Sequence, residues 1–156
     1  MSLRPVLTLR EPMIENLPIR DLFIRPLETT RELGVTRWLA FKDTDHLLRR
    51  LGEAEIIRLM PGHPIALTLR PVVDEVWAVL EGVVDVLWHD LRPRSPTNGV
   101  RYQATLRRPA LLLAPFGVAF GARALEGAAL LARFATHGRD DPESRDDATL
   151  EWEASP

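Results

Sequence analysis

Between Met60 and Gly127 the chain is cut repeatedly by turn signals: Pro61-Gly62, Glu81-Gly82, Asn98-Gly99, Arg108-Pro109, Pro115-Phe116-Gly117 and Glu126-Gly127. The runs between them are short and rich in Val, Leu, Ala and aromatic residues. In EVWAVLEG, Glu75, Trp77, Val79 and Glu81 alternate with Val76, Ala78 and Leu80. That period of two sends neighbouring side chains to opposite faces of a sheet and predicts a half-buried strand. Similar patterning predicts strands at 6–9, 19–24, 36–41, 55–60, 65–70, 75–80, 84–89, 100–106, 110–114, 118–122 and 129–136. Many short strands with turns between them argue for an all-β sandwich or small barrel. One short helix is expected at 44–51, with Asp43 or Thr44 as its N-cap and Gly52 as its stop. No internal repeat is present.

At 156 residues and 46% hydrophobic content, one core and one domain are expected, spanning 1–137. The charged segment 138–156 has little to bury except Leu150 and Trp152, so it is either disordered or docked by that pair. A formal net charge of −2 and a sequence pI near 6.1 leave no basic footprint for nucleic acid. The absence of cysteine excludes disulfides, thiolate nucleophiles and thiolate metal sites. Lys42 is the sole lysine, which argues against Schiff-base chemistry. The basic charge is otherwise arginine, a residue suited to bidentate binding of carboxylate or phosphate. Arg4, Arg10 and Glu11 interrupt the N-terminal apolar stretch, and no run reaches membrane-spanning length; no membrane association and a cytoplasmic location are expected.

Two segments carry a resemblance. Pro61 to Gly82, PGHPIALTLRPVVDEVWAVLEG, is similar to the first motif of the cupins, with Glu75 and Gly82 in place of that motif's glutamate and glycine; PFGVAF, Pro115 to Phe120, is similar to the second. The resemblance implies an all-β cupin fold, a double-stranded β-helix or jelly-roll barrel. Where metal-binding cupins carry histidines this chain has Thr68, Arg70 and Phe120. A divalent ion needs several neutral or anionic donors, so no metal and no cofactor are expected. Arg70 and Glu75 are expected to form an ion pair inside the barrel, because a buried charge must be paired.

The segment GVVDVLWHDLRPRSPTNG, Gly82 to Gly99, narrows the resemblance. Asp90, Leu91, Arg92, Ser95, Pro96 and Thr97 are in register with the Asp-Leu-Arg and Ser-Pro-Thr of dTDP-4-dehydrorhamnose 3,5-epimerases, metal-free cupins. The resemblance implies a nucleotide-sugar ligand, cell-surface polysaccharide biosynthesis and a homodimer, in which a strand such as 6–9 could join a neighbour's sheet. Epimerisation beside a ketone needs one group to remove a C–H proton and another to return one to the opposite face. Counted without a gap from Gly82, the family's histidine falls at Ile65, and a two-residue insertion makes it His63. Glu75 takes the lysine position, Phe120 the second-turn histidine, and the tyrosine position near His137 lacks a tyrosine.

The candidate catalytic residues are therefore His63, Glu75 and His137, the last because histidine titrates near neutrality. Arg70, Trp77, His89 and Arg92 are the candidate substrate-binding residues. Two functions remain open: turnover of a nucleotide sugar through a rebuilt acid–base pair, or binding of a small anionic ligand by a cupin that has lost catalysis.

Overall fold

The computed structural model describes residues 17–152. The strands are β1 (Ile24–Pro26), β2 (Glu28–Glu32), β3 (Val35–Leu39), β4 (Glu53–Leu59), β5 (Ile65–Leu69), β6 (Glu75–Glu81), β7 (Val84–Asp90), β8 (Arg101–Leu106), β9 (Ala110–Ala114), β10 (Val118–Ala124), β11 (Ala129–Ala135) and β12 (Ala148–Leu150). They form two five-stranded sheets, ordered β1-β9-β6-β11-β4 and β12-β5-β10-β7-β8, and a separate β2–β3 hairpin. Every pairing is antiparallel. This is the all-β jelly-roll barrel anticipated above, and the expected strand at 6–9 lies outside the described residues.

The core between the sheets is made by the inward residues of each strand, among them Trp77, Val79, Val84, Val86, Trp88, Leu112, Phe120, Ala122 and Leu131. An aromatic chain crosses it, from Trp77 to Phe120 (ring centroids 5.2 Å apart), to Trp88 (5.5 Å) and on to Tyr102 (5.7 Å, stacked). The outer face of the first sheet is also covered. Phe23, Trp38, Phe41, Leu47, Leu48 and Phe134 pack there with Val76, Ala78 and Leu111, so β6 is buried on both faces rather than half-buried.

Three local expectations are corrected. Residues 44–51 form no α-helix; a single 3₁₀ turn, Asp43–Asp45, ends at His46 in the left-handed region (φ 52°). Asp45 accepts the Lys42 backbone N–H at 2.8 Å and pairs with Arg25 at 3.4 Å, while Leu47 and Leu48 pack onto the sheet, so tertiary contacts override helix propensity. The 19–24 segment is mostly irregular because Asp21 has φ 72°, although Ile19, Leu22 and Ile24 are all buried. Finally, β2 is a strand that the patterning does not announce, since ETTRE is exposed throughout.

Beyond residue 137 the chain turns back through a 3₁₀ turn, Pro142–Ser144, capped by Asp141. It then adds β12 to the edge of the second sheet, pairing Ala148 with Leu69, Thr149 with Thr68 and Leu150 with Leu67. Leu150 and Trp152 pack against Leu67, Leu87 and Ala119 on that sheet's outer face. Among the described residues no helix is long and apolar enough to cross a membrane.

Candidate functional site

Strand parity places the candidate site inside the barrel. In the register that pairs β11 with β4 and β6, Arg133 lies between Glu55 and Trp77, and Ala135 between Glu53 and Glu75. These side chains share the inner face. Opposite them, Thr68 of β5 pairs with Phe120 of β10. The space between is a cavity of about 390 Å³ lined by Glu55, Ile57, Ile65, Ala66, Thr68, Arg70, Glu75, Trp77, Phe120 and Arg139.

Its floor is ionic. Arg133 is fully buried and donates to Glu75 through Nε and to Glu53 and Glu55 through Nη1, at 2.6 and 2.7 Å for the latter two. Arg70 Nη1 reaches the same Glu75 oxygen, Oε2, at 3.2 Å. Arg139 closes the rim against Glu55 at 3.1 Å and Glu53 at 3.8 Å. Burial disfavours the Arg133 charge, but Glu75, Glu53 and Glu55 outweigh it and keep the guanidinium protonated. The Arg133 hydrogen bond holds Glu53 below its ordinary range against the opposing effect of burial. The central cation among three glutamates is thus an arginine. Trp77 Nε1 and Arg133 Nη2 are buried donors without a hydrogen-bond partner among the described residues.

Of the residues singled out from sequence, Arg70, Glu75 and Trp77 meet in this cavity. The others do not. His63 is exposed on the turn before β5, its N–H bonded to Met60 O; Ile65, the gap-free position, faces the cavity instead. His137 is buried outside it, with Nδ1 2.8 Å from Thr136 Oγ1 and Nε2 3.5 Å from Glu143. His89 shares the parity of Leu87, which packs on the outer face, and its ring lies 3.3 Å from Arg101. Burial, then the Arg101 charge, lowers its pKa, with Asp90 opposing.

Arg92 is committed to the loop that carries it. Asp90 is completely buried and accepts from Arg92 N, Nε and Nη2 at 3.0–3.1 Å and from the Ser95 and Thr97 hydroxyls at 2.6 Å each. The same guanidinium reaches Asp21 at 3.0 Å and Arg20 O at 2.8 Å. Burial pushes the Asp90 carboxyl up, but the bonds from Arg92, Ser95 and Thr97 win and hold it far below the usual carboxylate range. Gly117, at φ 81°, lets the next turn lie against this knot, since a Cβ there would stand 2.5 Å from Arg92 Cγ. The Asp-Leu-Arg and Ser-Pro-Thr motif is therefore a self-closing loop clasp.

Arg133, Glu53, Glu55 and Arg139 escaped the sequence reading. The signal was inward parity: Arg133 shares the strand face of Leu131 and Ala135, and Glu53 and Glu55 that of Ile57, so charges occupy core positions.

Among curated proteins, the chain is 31% identical over 114 residues to the spore coat polysaccharide biosynthesis protein SpsL of Bacillus subtilis, covering 72% of this chain and 76% of that protein. Its fold is shared by a dTDP sugar isomerase from Desulfovibrio desulfuricans (TM-score 0.77, 24% identity, 88% of each chain). It is shared too by the dTDP-6-deoxy-D-glucose-3,5-epimerase RmlC of Legionella pneumophila, solved with dTDP-4-keto-L-rhamnose (TM-score 0.76, 21% identity, 88% of this chain and 76% of that one). No protein-family model matches the chain.

Proposed function

This chain belongs to the family of the spore coat polysaccharide biosynthesis protein SpsL, and from that premise we propose that it takes a nucleotide sugar into the barrel cavity, in the service of cell-surface polysaccharide assembly. The observation that carries the reading is the cavity itself: the Trp77 and Phe120 rings beside the charged groups of Arg70, Glu75, Glu55 and Arg139. Aromatic faces suit the C–H face of a sugar ring, and charged donors and acceptors suit its hydroxyls and a neighbouring phosphate. RmlC, with the same fold, was solved with such a ligand. A cytoplasmic location accords with this reading.

Within the cavity, Arg70 and Trp77 would hold the ligand. Glu75, at the inner end of both guanidinium contacts, would accept from a hydroxyl. Turnover by proton exchange at a carbon next to a ketone is a second reading, favoured by Glu75 and Glu55, whose carboxylates line the same space and could take a proton from such a carbon. Binding without turnover is favoured by the lining, which holds no histidine, lysine or tyrosine. The two are separated by incubating the protein with dTDP-4-keto-6-deoxyglucose in deuterated water and following sugar carbons 3 and 5 by NMR, with Glu75→Gln alongside. Exchange that disappears in the variant establishes turnover at this cavity. Broadened ligand signals without exchange establish binding alone, and neither signal removes the nucleotide-sugar reading.

A further inference from the structure

The chain segment that returns past the barrel mouth places one carboxylate where it bears on the cavity. Asp147, the residue before β12, lies with Oδ2 3.7 Å from Arg70 Nε. Its Oδ1 is buried and without a hydrogen-bond partner among the described residues. Arg70 is thus held from two sides, Nη1 by Glu75 of β6 and Nε by Asp147 of the tail. It is also a wall of the cavity.

We propose that Asp147 is a positioning residue: it competes with the ligand for the Arg70 guanidinium, so that capture of a ligand oxygen in the cavity is coupled to protonation of the tail. The proposal rests on the reading of the cavity as a nucleotide-sugar site. The charged groups that face Asp147 are Arg70 beyond β5, Glu75 on β6, Arg133 on β11 and Arg139 beyond β11. Glu53 and Glu55 of β4 stand behind the last two. Burial, with Glu75 adding to it, raises the Asp147 pKa, and the three arginines offset this only in part. Proton uptake therefore begins above the ordinary aspartate range. As pH falls through that range, Asp147 becomes neutral, its hold on Arg70 Nε weakens, and that N–H turns to the ligand. The tail connects this event to a larger element, because β12 pairs with β5, the strand that leads into Arg70.

The test is calorimetric titration with dTDP-glucose, whose pyrophosphate keeps its charge across the range, at intervals from pH 7 down to pH 4, the side of the ordinary aspartate range toward which burial raises Asp147. Wild-type affinity is expected to rise roughly three- to fivefold as pH falls, the scale of one partly exposed ion pair. Asp147→Asn is expected to show the low-pH affinity at every pH, and Asp147→Glu to restore the slope. In the ligand-free protein, the ¹⁵N shift of Arg70 Nε is expected to follow the ¹³C titration of the Asp147 carboxyl. Binding with the same pH profile in wild type and Asp147→Asn overturns the coupling and leaves the cavity reading standing. No binding by either protein at any pH overturns both. An Arg70 Nε shift indifferent to Asp147 overturns the coupling without reference to any nucleotide.

Discussion

Arg133 is the charge around which the cavity is organised. A guanidinium removed from water is tolerated only when its partners remain in place, and Glu75 is the partner it shares with Arg70. Glu75→Ala is accordingly expected to lower stability by about 3–5 kcal/mol, read by urea denaturation. The Arg133→Met, Glu75→Leu double variant should recover only part of that loss, since it removes both buried charges but leaves Glu53 and Glu55 with Arg139 alone and Arg70 with Asp147 alone. Asp90 gives a pH signature. Its pKa is depressed in the fold, so its contribution is fully present above the unfolded value of about 3.9 and is lost as pH falls from there through the folded value. Asp90→Asn should cost roughly 1.5–3 kcal/mol at neutral pH, the range for hydrogen bonds to a charged group, and less at pH 3. Neither residue's role could be read from composition. Arg133 sits in LLARFA, where only the register of three strands tells an inward charge from an outward one.

At the scale of elements, the central barrel strands were the most legible. β9 occupies the expected 110–114, and β6 and β7 each run one residue beyond expectation, because their alternation and bounding glycines report directly on the pleat and its turns. The outer layers were legible only in part. β2 is exposed at every position and β12 joins the sheet as three residues from a charged tail, so neither has an apolar face to declare it. The tail's docking is open to test at Gly121, where a Cβ would stand 2.6 Å from the Trp152 ring. Gly121→Ala, the smallest change that fills this space and the one that presses least on the β5 backbone 3.1 Å away at Ile65 and Leu67, is expected to expel Trp152, shifting its fluorescence to longer wavelength and speeding trypsin cleavage after Arg145, while the far-ultraviolet spectrum of the barrel persists. Unchanged cleavage would mean that the tail is held by other contacts.

For the whole molecule, the two sheets enclose a charged, aromatic-walled cavity instead of the histidine-centred site implied by the sequence resemblance. Ile65 and Phe120 are apolar at the two positions in question and both line that cavity. The resemblance thus carries the fold, which depends on glycine turns, whereas Arg92, read from the sequence as a substrate-binding residue, is held in the Asp90 network. On the molecular surface, Ile56 is 71% exposed at the middle of β4, an edge strand among the described residues. Together with the homodimer expected from the resemblance, this makes Ile56→Lys a useful probe in light scattering, with a shift from dimer to monomer expected if that edge is the contact. The central claim, a nucleotide sugar held in the barrel by its sugar end, is tested most directly by calorimetric titration of the wild-type protein with dTDP-glucose and with dTDP at one neutral pH. The account predicts saturable one-to-one binding that is tighter for dTDP-glucose and weakened at least about tenfold, or 1.4 kcal/mol, by Trp77→Ala in a folded variant. Absence of binding, or equal affinity for dTDP-glucose in the wild type and Trp77→Ala, would contradict it.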